Sequence, residues 1–442
     1  MSLQWNTESL EGESDPTELG VNLEGNSSLG QHWAVDAAPD GLLIGTSEAD
    51  QVVWAPLSNF PQSGSLSPGL AGRILAEDDG DRFGTAVVRL DDFDQSGTPE
   101  LMVGAPDKQG GGGRIGAGAA YLFSDLGDGF EQDQLSETAL VRILGDEAGD
   151  HFGKVIRMCG DVDGDGLSDI LIAAPDNASQ ASRAGRVYLL YSSLLPDLPT
   201  QILAASIPVQ LTSTKAGAQL GRDMDCSSDF TGDGIADLLL SAPFEDSSQH
   251  EAAGAVHLIP GGPQLASNSV ADAALWSLRG NEDDAYFGSS IATGDFDGDA
   301  LPDLLVGVPG ASQGDGGAYF FSGESLAQGD IEPWIHIESD LEGARLGVRV
   351  GLLERSVSGR PSLFIGAPRA NPDGRNSTFY SGVLYGFSPE ILTSTVPVTG
   401  PASKADYTWH TPQGYRRMGA QFILRDLDND EAEDLILLLG ND

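Results

Sequence analysis

A phrase repeated along the chain limits its fold more than any other feature of the sequence. It begins with an apolar residue, and nine positions later comes a large apolar residue followed by Gly. The pairs are Ile74 with Phe83-Gly84, Ile143 with Phe152-Gly153, Leu211 with Leu220-Gly221, Leu278 with Phe287-Gly288, Ile337 with Leu346-Gly347 and Trp409 with Met418-Gly419. A weaker copy near the start has Leu29-Gly30 with Leu23 six residues before it, which makes seven. From Phe83 to Met418 the copies step by 69, 68, 67, 59 and 72 residues. A fixed period of this kind signals one supersecondary unit that cannot bury its apolar faces alone and must stack on its neighbours.

Each copy continues alike. A short apolar strand follows the Gly, then an acidic loop, then a second apolar run such as Asp303-Leu304-Leu305-Val306. That run ends in Gly104-Ala105-Pro106, Ala173-Ala174-Pro175, Ser241-Ala242-Pro243, Gly307-Val308-Pro309 or Gly366-Ala367-Pro368. Proline has no amide hydrogen for the ladder, so it closes the strand, and the small residues before it let a neighbouring backbone approach. A third strand carries alternating aromatics, as in Ala119-Ala120-Tyr121-Leu122-Phe123, and the residue that opens the next copy lies on a fourth. Four short strands per unit read as a propeller blade. The expected fold is all-β: a seven-bladed β-propeller of four-stranded blades, one domain over residues 1–442. The last copy stops after its second strand, at Leu435 to Leu439. Leu3-Gln4-Trp5 and Val21-Asn22-Leu23, within residues 1–28, are expected to supply its missing strands. The rival reading is a truncated chain with an incomplete seventh blade.

The acidic loops carry the chemistry. In the clearest, Asp161, Asp163, Asp165 and Asp169 stand at positions 1, 3, 5 and 9, with the carbonyl of Leu167 at position 7. Asp295, Asp297, Asp299, Asp303 and the Leu301 carbonyl repeat it. Asp229, Thr231, Asp233, Asp237 and the Ile235 carbonyl replace one carboxylate by a hydroxyl. A fourth loop has Asp92, Asp94, Ser96 and Glu100 with Thr98, and a fifth has Asp426, Asp428, Asp430 and Asp434 with Ala432. Oxygens at this spacing converge on one point and suit a hard cation taking six to eight oxygens, so three to five Ca2+ ions are expected. With no His or Cys at a ligand position, zinc and copper do not fit. The spacing resembles an EF-hand, but position 12 is Ile172, Leu240 or Val306 and the flanks are strands. A dockerin-like helical pair would lack the Gly-Ala-Pro strand. The first copy has only Ala38-Pro39-Asp40-Gly41 at this place and the sixth has Leu353 to Arg360, so packing alone must hold those blades.

The order Phe-Gly, Asp-rich loop, Gly-Ala-Pro resembles the FG-GAP repeat of integrin alpha chains and of related bacterial surface and secreted proteins, from roughly Leu23 to Gly440. The resemblance implies a seven-bladed propeller with calcium in hairpin loops on one face, and roles in adhesion and in protein or glycan recognition. The chain differs in its few cysteines and many acids, and it shows no inserted von Willebrand type A domain.

Composition narrows the partners. Asp plus Glu number 67 against 23 Lys plus Arg, a formal net charge of -44. Such a surface repels phosphate backbones and anionic lipids, which argues against nucleic acid as a partner. Five filled loops would offset only ten of those 44 charges, so solubility accounts for much of the excess. No apolar run approaches the length of a membrane span, and no secretory leader is visible at the start. The chain is expected to be extracellular or at the cell surface, as a mature segment or part of a longer surface protein. Cys159 and Cys226 fall at similar places in adjacent repeats. Two buried free thiols are the expectation, with a bridge between blades as the alternative. Asn26, Asn177 and Asn376 open Asn-x-Ser/Thr triplets. His151 precedes Phe152 where other copies carry Arg82, Gln219, Tyr286, Arg345 and Arg417, a variability that points to a surface residue. His32, beside Trp33, is the histidine best placed for a function. There is no Gly-x-Ser-x-Gly elbow and no phosphate-binding Gly-Lys loop. The sequence therefore reads as a calcium-binding interaction module and not as an enzyme. A carbohydrate-active or other hydrolase on a propeller scaffold is the alternative, and a structural spacer the third reading.

Overall fold

The computed structural model describes residues 3–6, 21–24, 33–38, 41–56, 63–66, 72–93, 98–110, 112–124, 134–329, 331–352, 363–371, 381–388, 398–399, 404–410, 417–425 and 434–439. Strands dominate them, and the helices are short. The strands form seven sheets of four or five members. In sheet two, for example, Ala86–Arg89, Leu101–Ala105, Ala119–Phe123 and Val141–Leu144 pair antiparallel in chain order. Sheets two to seven begin just after a repeated Gly, and in sheets one to six the fourth strand holds the residue that opens the next copy: Ile74, Ile143, Leu211, Leu278, Ile337 and Trp409. No helix among the described residues is long and apolar enough to cross a membrane.

The core lies between sheets. One cluster joins Val52, Trp54 and Ile74 of sheet one to Val87, Val103 and Tyr121 of sheet two. The next joins Met102 and Ile143 to Ile172 and Tyr188 of sheet three, and the series continues to Trp409 and Phe422 of sheets six and seven. The repeated Phe is the wedge. Phe83 meets Tyr121 edge-on at 5.4 Å between centroids and Phe152 meets Tyr188 at 5.0 Å, an arrangement favoured by the ring quadrupoles. The first strands lie side by side in order. Trp33–Ala38 contacts Ala86–Arg89, which contacts Val155–Met158, and so on through Met224–Asp225, Ile291–Gly294 and Arg349–Leu352 to Gln421–Arg425, which contacts Trp33–Ala38.

The small residues sit where neighbouring sheets come closest. A Cβ placed on Gly104 would lie 1.9 Å from the carbonyl oxygen of Gly153, and one on Gly307 would lie 2.0 Å from that of Gly347. Gly153 itself has φ +83°, the left-handed region that glycine enters without penalty. The residue two positions before each such Gly is also left-handed although it has a side chain: Arg82, His151, Gln219, Tyr286, Arg345 and Arg417. What these six share is a backbone conformation, which explains why their side chains vary. His151 is accordingly not a free surface residue. It is half-buried, and its Nδ1 lies 2.9 Å from Asp176 Oδ2, which also takes Lys154 Nζ at 3.1 Å. Burial alone would raise the Asp176 carboxyl, but His151, Lys154 and Arg183 outweigh it and hold its pKa below the usual carboxylate range.

Three observations depart from the sequence reading. Cys159 and Cys226 form a disulfide, not two free thiols. The equivalent ends of Val155–Met158 and Met224–Asp225 face each other across adjacent sheets, and the Gly160 N–H donates to the Cys226 carbonyl at 2.8 Å. Second, Asn177 is buried and donates to Asp150 Oδ2 at 2.6 Å, so it is closed to glycosylation in the folded chain. Asn26, Asn376 and His32 lie outside the described residues. Third, four sheets gain a fifth, parallel strand from the following repeat. Gln134–Leu135 pairs with Arg73–Leu75, and Gln201–Leu203 pairs with Val141–Leu144. These segments cover outer edges that would otherwise expose unpaired amides.

Both N-terminal strands join the last sheet, whose order is Gln421–Arg425, Asp434–Leu439, Val21–Glu24, Leu3–Asn6 and Ser63–Leu66. The junction of Val21–Glu24 with Asp434–Leu439 is parallel, whereas second and third strands are antiparallel in every other sheet.

Two outcomes follow from this packing. Gly104→Val should destabilise by about 3 kcal/mol, because both sides of the contact are backbone and cannot yield, and a urea midpoint shift with unchanged slope would measure it. Reducing the 67-residue Cys159–Cys226 loop should remove about 4 kcal/mol of chain-entropy stabilisation. For a chain of this size that is a fall in Tm of about 4 °C, and calorimetry with and without dithiothreitol tests it.

Candidate metal centre

The acidic loops are the hairpins between the first and second strands of their sheets. Their local geometry follows from the side-chain preferences of Asp, which readily accepts nearby backbone N–H groups and so turns the chain. Asp161 Oδ1 accepts from Gly164 N at 2.7 Å and Asp165 N at 3.1 Å, and its Oδ2 accepts from Gly166 N at 2.8 Å. Asp163 Oδ1 accepts from Asp165 N at 3.1 Å, and Asp165 Oδ1 from Leu167 N at 2.9 Å. Asp169 closes the loop from beneath, taking Val162 N at 3.0 Å on one oxygen and Ser192 N at 3.0 Å on the other.

The other two loops repeat most of these bonds. Asp229 takes Gly232 N at 2.6 Å and Gly234 N at 2.7 Å, Asp233 takes Ile235 N at 3.0 Å, and Asp237 takes Phe230 N and Thr231 N at 2.8 Å and Gly261 N at 2.9 Å. Asp295 takes Gly298 N at 2.7 Å and Ala300 N at 3.0 Å, Asp297 takes Asp299 N at 3.1 Å, Asp299 takes Leu301 N at 2.8 Å, and Asp303 takes Phe296 N and Gly323 N at 2.8 Å. In two loops the carboxylates converge. Oxygens of Asp161, Asp163 and Asp169 lie within 4.8 Å of one another, as do those of Asp295, Asp297 and Asp303. The loop of Asp229, Thr231 and Asp237 offers a hydroxyl in place of the middle carboxylate.

The donor set fits a hard divalent cation. It is all oxygen, and among the described residues no Lys or Arg forms an ion pair with any carboxylate of these three loops. Burial pushes the Asp169 carboxyl up to about 6 and the Asp303 carboxyl up to about 7, and neighbouring loop carboxylates push the same way. Asp237 is also raised by burial, and Asp163 and Asp297 are raised by burial and then by the charges beside them. A cation would relieve both effects, because it supplies the missing counter-charge where water does not reach.

The remaining expected ligands are only partly visible. In the fourth loop Glu100 is buried and its Oε2 accepts from Phe93 N at 2.9 Å, the same bond that Asp169 makes with Val162. Asp92 and Thr98 are described, and Asp94 and Ser96 are not. In the fifth, Asp434 opens the strand Asp434–Leu439, and Asp426, Asp428, Asp430 and Ala432 lie outside the described residues.

The FG-GAP repeat family matches residues 159–190, 226–259 and 287–321, the three stretches that contain these three loops. The chain carries FG-GAP repeats. Among its relatives, Homo sapiens phosphatidylinositol-glycan-specific phospholipase D is 25% identical over 454 residues, 98% of this chain and 51% of that protein. Its Bos taurus counterpart is 26% identical over 373 residues, 80% of this chain and 43% of that protein. Integrin alpha-PS2 of Drosophila melanogaster is 31% identical over 182 residues, 39% of this chain and 12% of the integrin. The chain thus spans about half the length of these phospholipase D relatives. Among solved structures, Sqt1 from Chaetomium thermophilum aligns over 91% of this chain and 80% of its own at 13% identity and a TM-score of 0.46.

One FG-GAP loop is strained. Position 6 is Gly166 at φ +89° and Gly234 at φ +87° in two loops, but Ala300 at φ +67° in the third. A Cβ in the left-handed region costs about 1 kcal/mol. Ala300→Gly should therefore stabilise the chain by about 1 kcal/mol, read as a higher denaturant midpoint. Gly166→Ala should cost a similar amount.

Proposed function

We propose that this chain is a closed seven-bladed β-propeller that binds calcium in its FG-GAP loops and serves as an extracellular or cell-surface module for recognising a protein or glycan. The observation that carries the reading is the recurrence of one oxygen geometry in three successive sheets, around Asp161, Asp229 and Asp295. Closure is supported by the contact of Gln421–Arg425 with Trp33–Ala38 and by the N-terminal strands in the last sheet. The integrin alpha relatives support adhesion or recognition, and the disulfide suits an oxidising compartment. Calcium would be held by Asp161, Asp163, Asp165, Asp169 and the Leu167 carbonyl, and by the equivalent groups of the other loops, Thr231 included. It would pin each hairpin to the edge of its blade and leave the faces free for a partner.

The phospholipase D relatives favour a second reading, in which the chain is the propeller portion of a longer hydrolase acting on glycan-linked lipids. Release of a glycan-lipid-anchored protein by a longer protein that contains this chain, lost when this chain is deleted from it, would support it.

Thermal unfolding with saturating calcium and again after chelation tests the first reading, with bound metal counted by elemental analysis. Three sites at a hundred times their dissociation constant contribute about 8 kcal/mol, or about 9 °C in Tm for a chain of this size. Three to five ions per chain and a fall of that order on chelation is the expected result. No bound metal and an unchanged melt would remove the calcium sites.

A further inference from the structure

A cavity of about 310 Å³ is lined by residues at the starts of the seven first strands or just ahead of them, Ala34, Ala86, Arg157, Asp223, Ser290, Arg349 and Gln421 among them. Its charge is opposite to that of the chain. Against a formal net charge of -44, its lining holds Lys154, Arg157, Arg222 and Arg349 and a single carboxylate, Asp223. Lys154 is engaged with Asp176 at 3.1 Å, and the Arg222 guanidinium lies over the Phe244 ring. That leaves two arginines for Asp223.

Asp223 is already satisfied. Its Oδ1 accepts from Arg157 Nη2 at 2.8 Å and Met224 N at 3.1 Å, and its Oδ2 accepts from Ile291 N at 3.1 Å. Arg157 also donates to the carbonyls of Met224 and Ile156, which uses three of its five N–H groups in all. Arg349 Nη1 reaches Asp223 Oδ2 only at 3.7 Å, beyond hydrogen-bond distance. Among the described residues this is the one charged contact of a side chain that is a third exposed. Burial lowers the pKa of Arg349, and Asp223 only partly offsets it. A second cavity that shares Arg157, Asp223 and Arg349 is also lined by Asp36 and Asp225. Asp36 accepts from Arg89 N at 2.7 Å, and Asp225 holds Ser227 at 2.8 Å.

We propose that this axial cavity is a binding site for a hydroxylated monocarboxylate of sugar-acid size, with Arg349 as the principal anchor and Arg157 beside it. A planar guanidinium with unmet donors is matched by a carboxylate, which accepts two parallel hydrogen bonds from it. Within this lining two arginines against one aspartate leave one positive charge, which one carboxylate neutralises, and the nearby Asp36 and Asp225 set the site against a dianionic phosphate. The volume suits a ligand of about a dozen non-hydrogen atoms. Ser290 and Gln421 add neutral polar groups to the same wall, which suits hydroxyls on the ligand. The inference rests on the meeting of the first strands and not on the calcium loops.

The test is calorimetric titration of the calcium-saturated chain with D-glucuronate, D-glucose and inorganic phosphate. D-Glucuronate is expected to bind one to one, and the other two to bind at least about tenfold more weakly. Arg349→Gln should weaken D-glucuronate binding at least about tenfold, and Arg349→Lys, which keeps the charge but loses the fork, should weaken it by less. Asp223→Asn, which removes the competing charge, should tighten it. A melting curve on each variant separates lost binding from lost folding. No D-glucuronate binding up to about 20 mM would overturn the proposal, as would equal binding of D-glucose or phosphate, or a well-folded Arg349→Gln that binds like the parent. Failure here with calcium still raising Tm would leave the calcium-binding propeller untouched.

Discussion

Neighbouring sheets approach until backbone meets backbone, and the rest of the molecule depends on that contact. At Gly104 against Gly153, and again at Gly307 against Gly347, no room remains for a single carbon atom. The contact sets the spacing of adjacent sheets at their inner ends, so the aromatic third strands are held at the distance where Phe83 and Tyr121, or Phe152 and Tyr188, fill the gap edge-on. It also brings the first strands side by side, which creates the cavity beside them. A single four-stranded sheet has two apolar faces and no stable existence in water, so each unit is completed only by the next.

Charge is handled differently at the rim and at the axis. In the Asp161, Asp229 and Asp295 hairpins no carboxylate has a basic partner among the described residues, and backbone amides supply most of their hydrogen bonds. At the axis a single carboxylate serves as a joint. Asp223 belongs to sheet four, takes Arg157 from sheet three and the Ile291 amide from sheet five, and faces Arg349 of sheet six. Four sheets thereby share one buried anion. Between these zones the disulfide ties the ends of two first strands, directly before the Asp161 and Asp229 loops.

Much of the candidate site was legible because each loop is short and local. Positions 1, 3, 5 and 9 are read by counting, and the structure groups Asp161, Asp163 and Asp169, with Asp165 outside that group. The disulfide was not legible. Whether Cys159 and Cys226 bond depends on the distance between residues of different sheets, and a 67-residue separation says nothing about it. His151 was misread for a related reason: its variability reflects a shared left-handed backbone that several side chains tolerate, not exposure. The buried Asn177 shows the same limit, since a triplet motif carries no information about burial.

By itself the sequence determined the order of strands within each unit, the position of the oxygen-rich hairpins and the need for small residues before most of the Pro residues. These are properties of neighbours along the chain, fixed by proline's missing amide, glycine's missing Cβ and the alternation of a strand. Tertiary structure decided what lies between units: the disulfide, the fifth strands on the outer edges, the parallel entry of Val21–Glu24 into the last sheet and the axial set of Arg157, Asp223 and Arg349. Those residues occupy similar places in different repeats and look unrelated in sequence. They come together only because the first strands of successive sheets lie side by side, and that arrangement is a matter of packing between sheets.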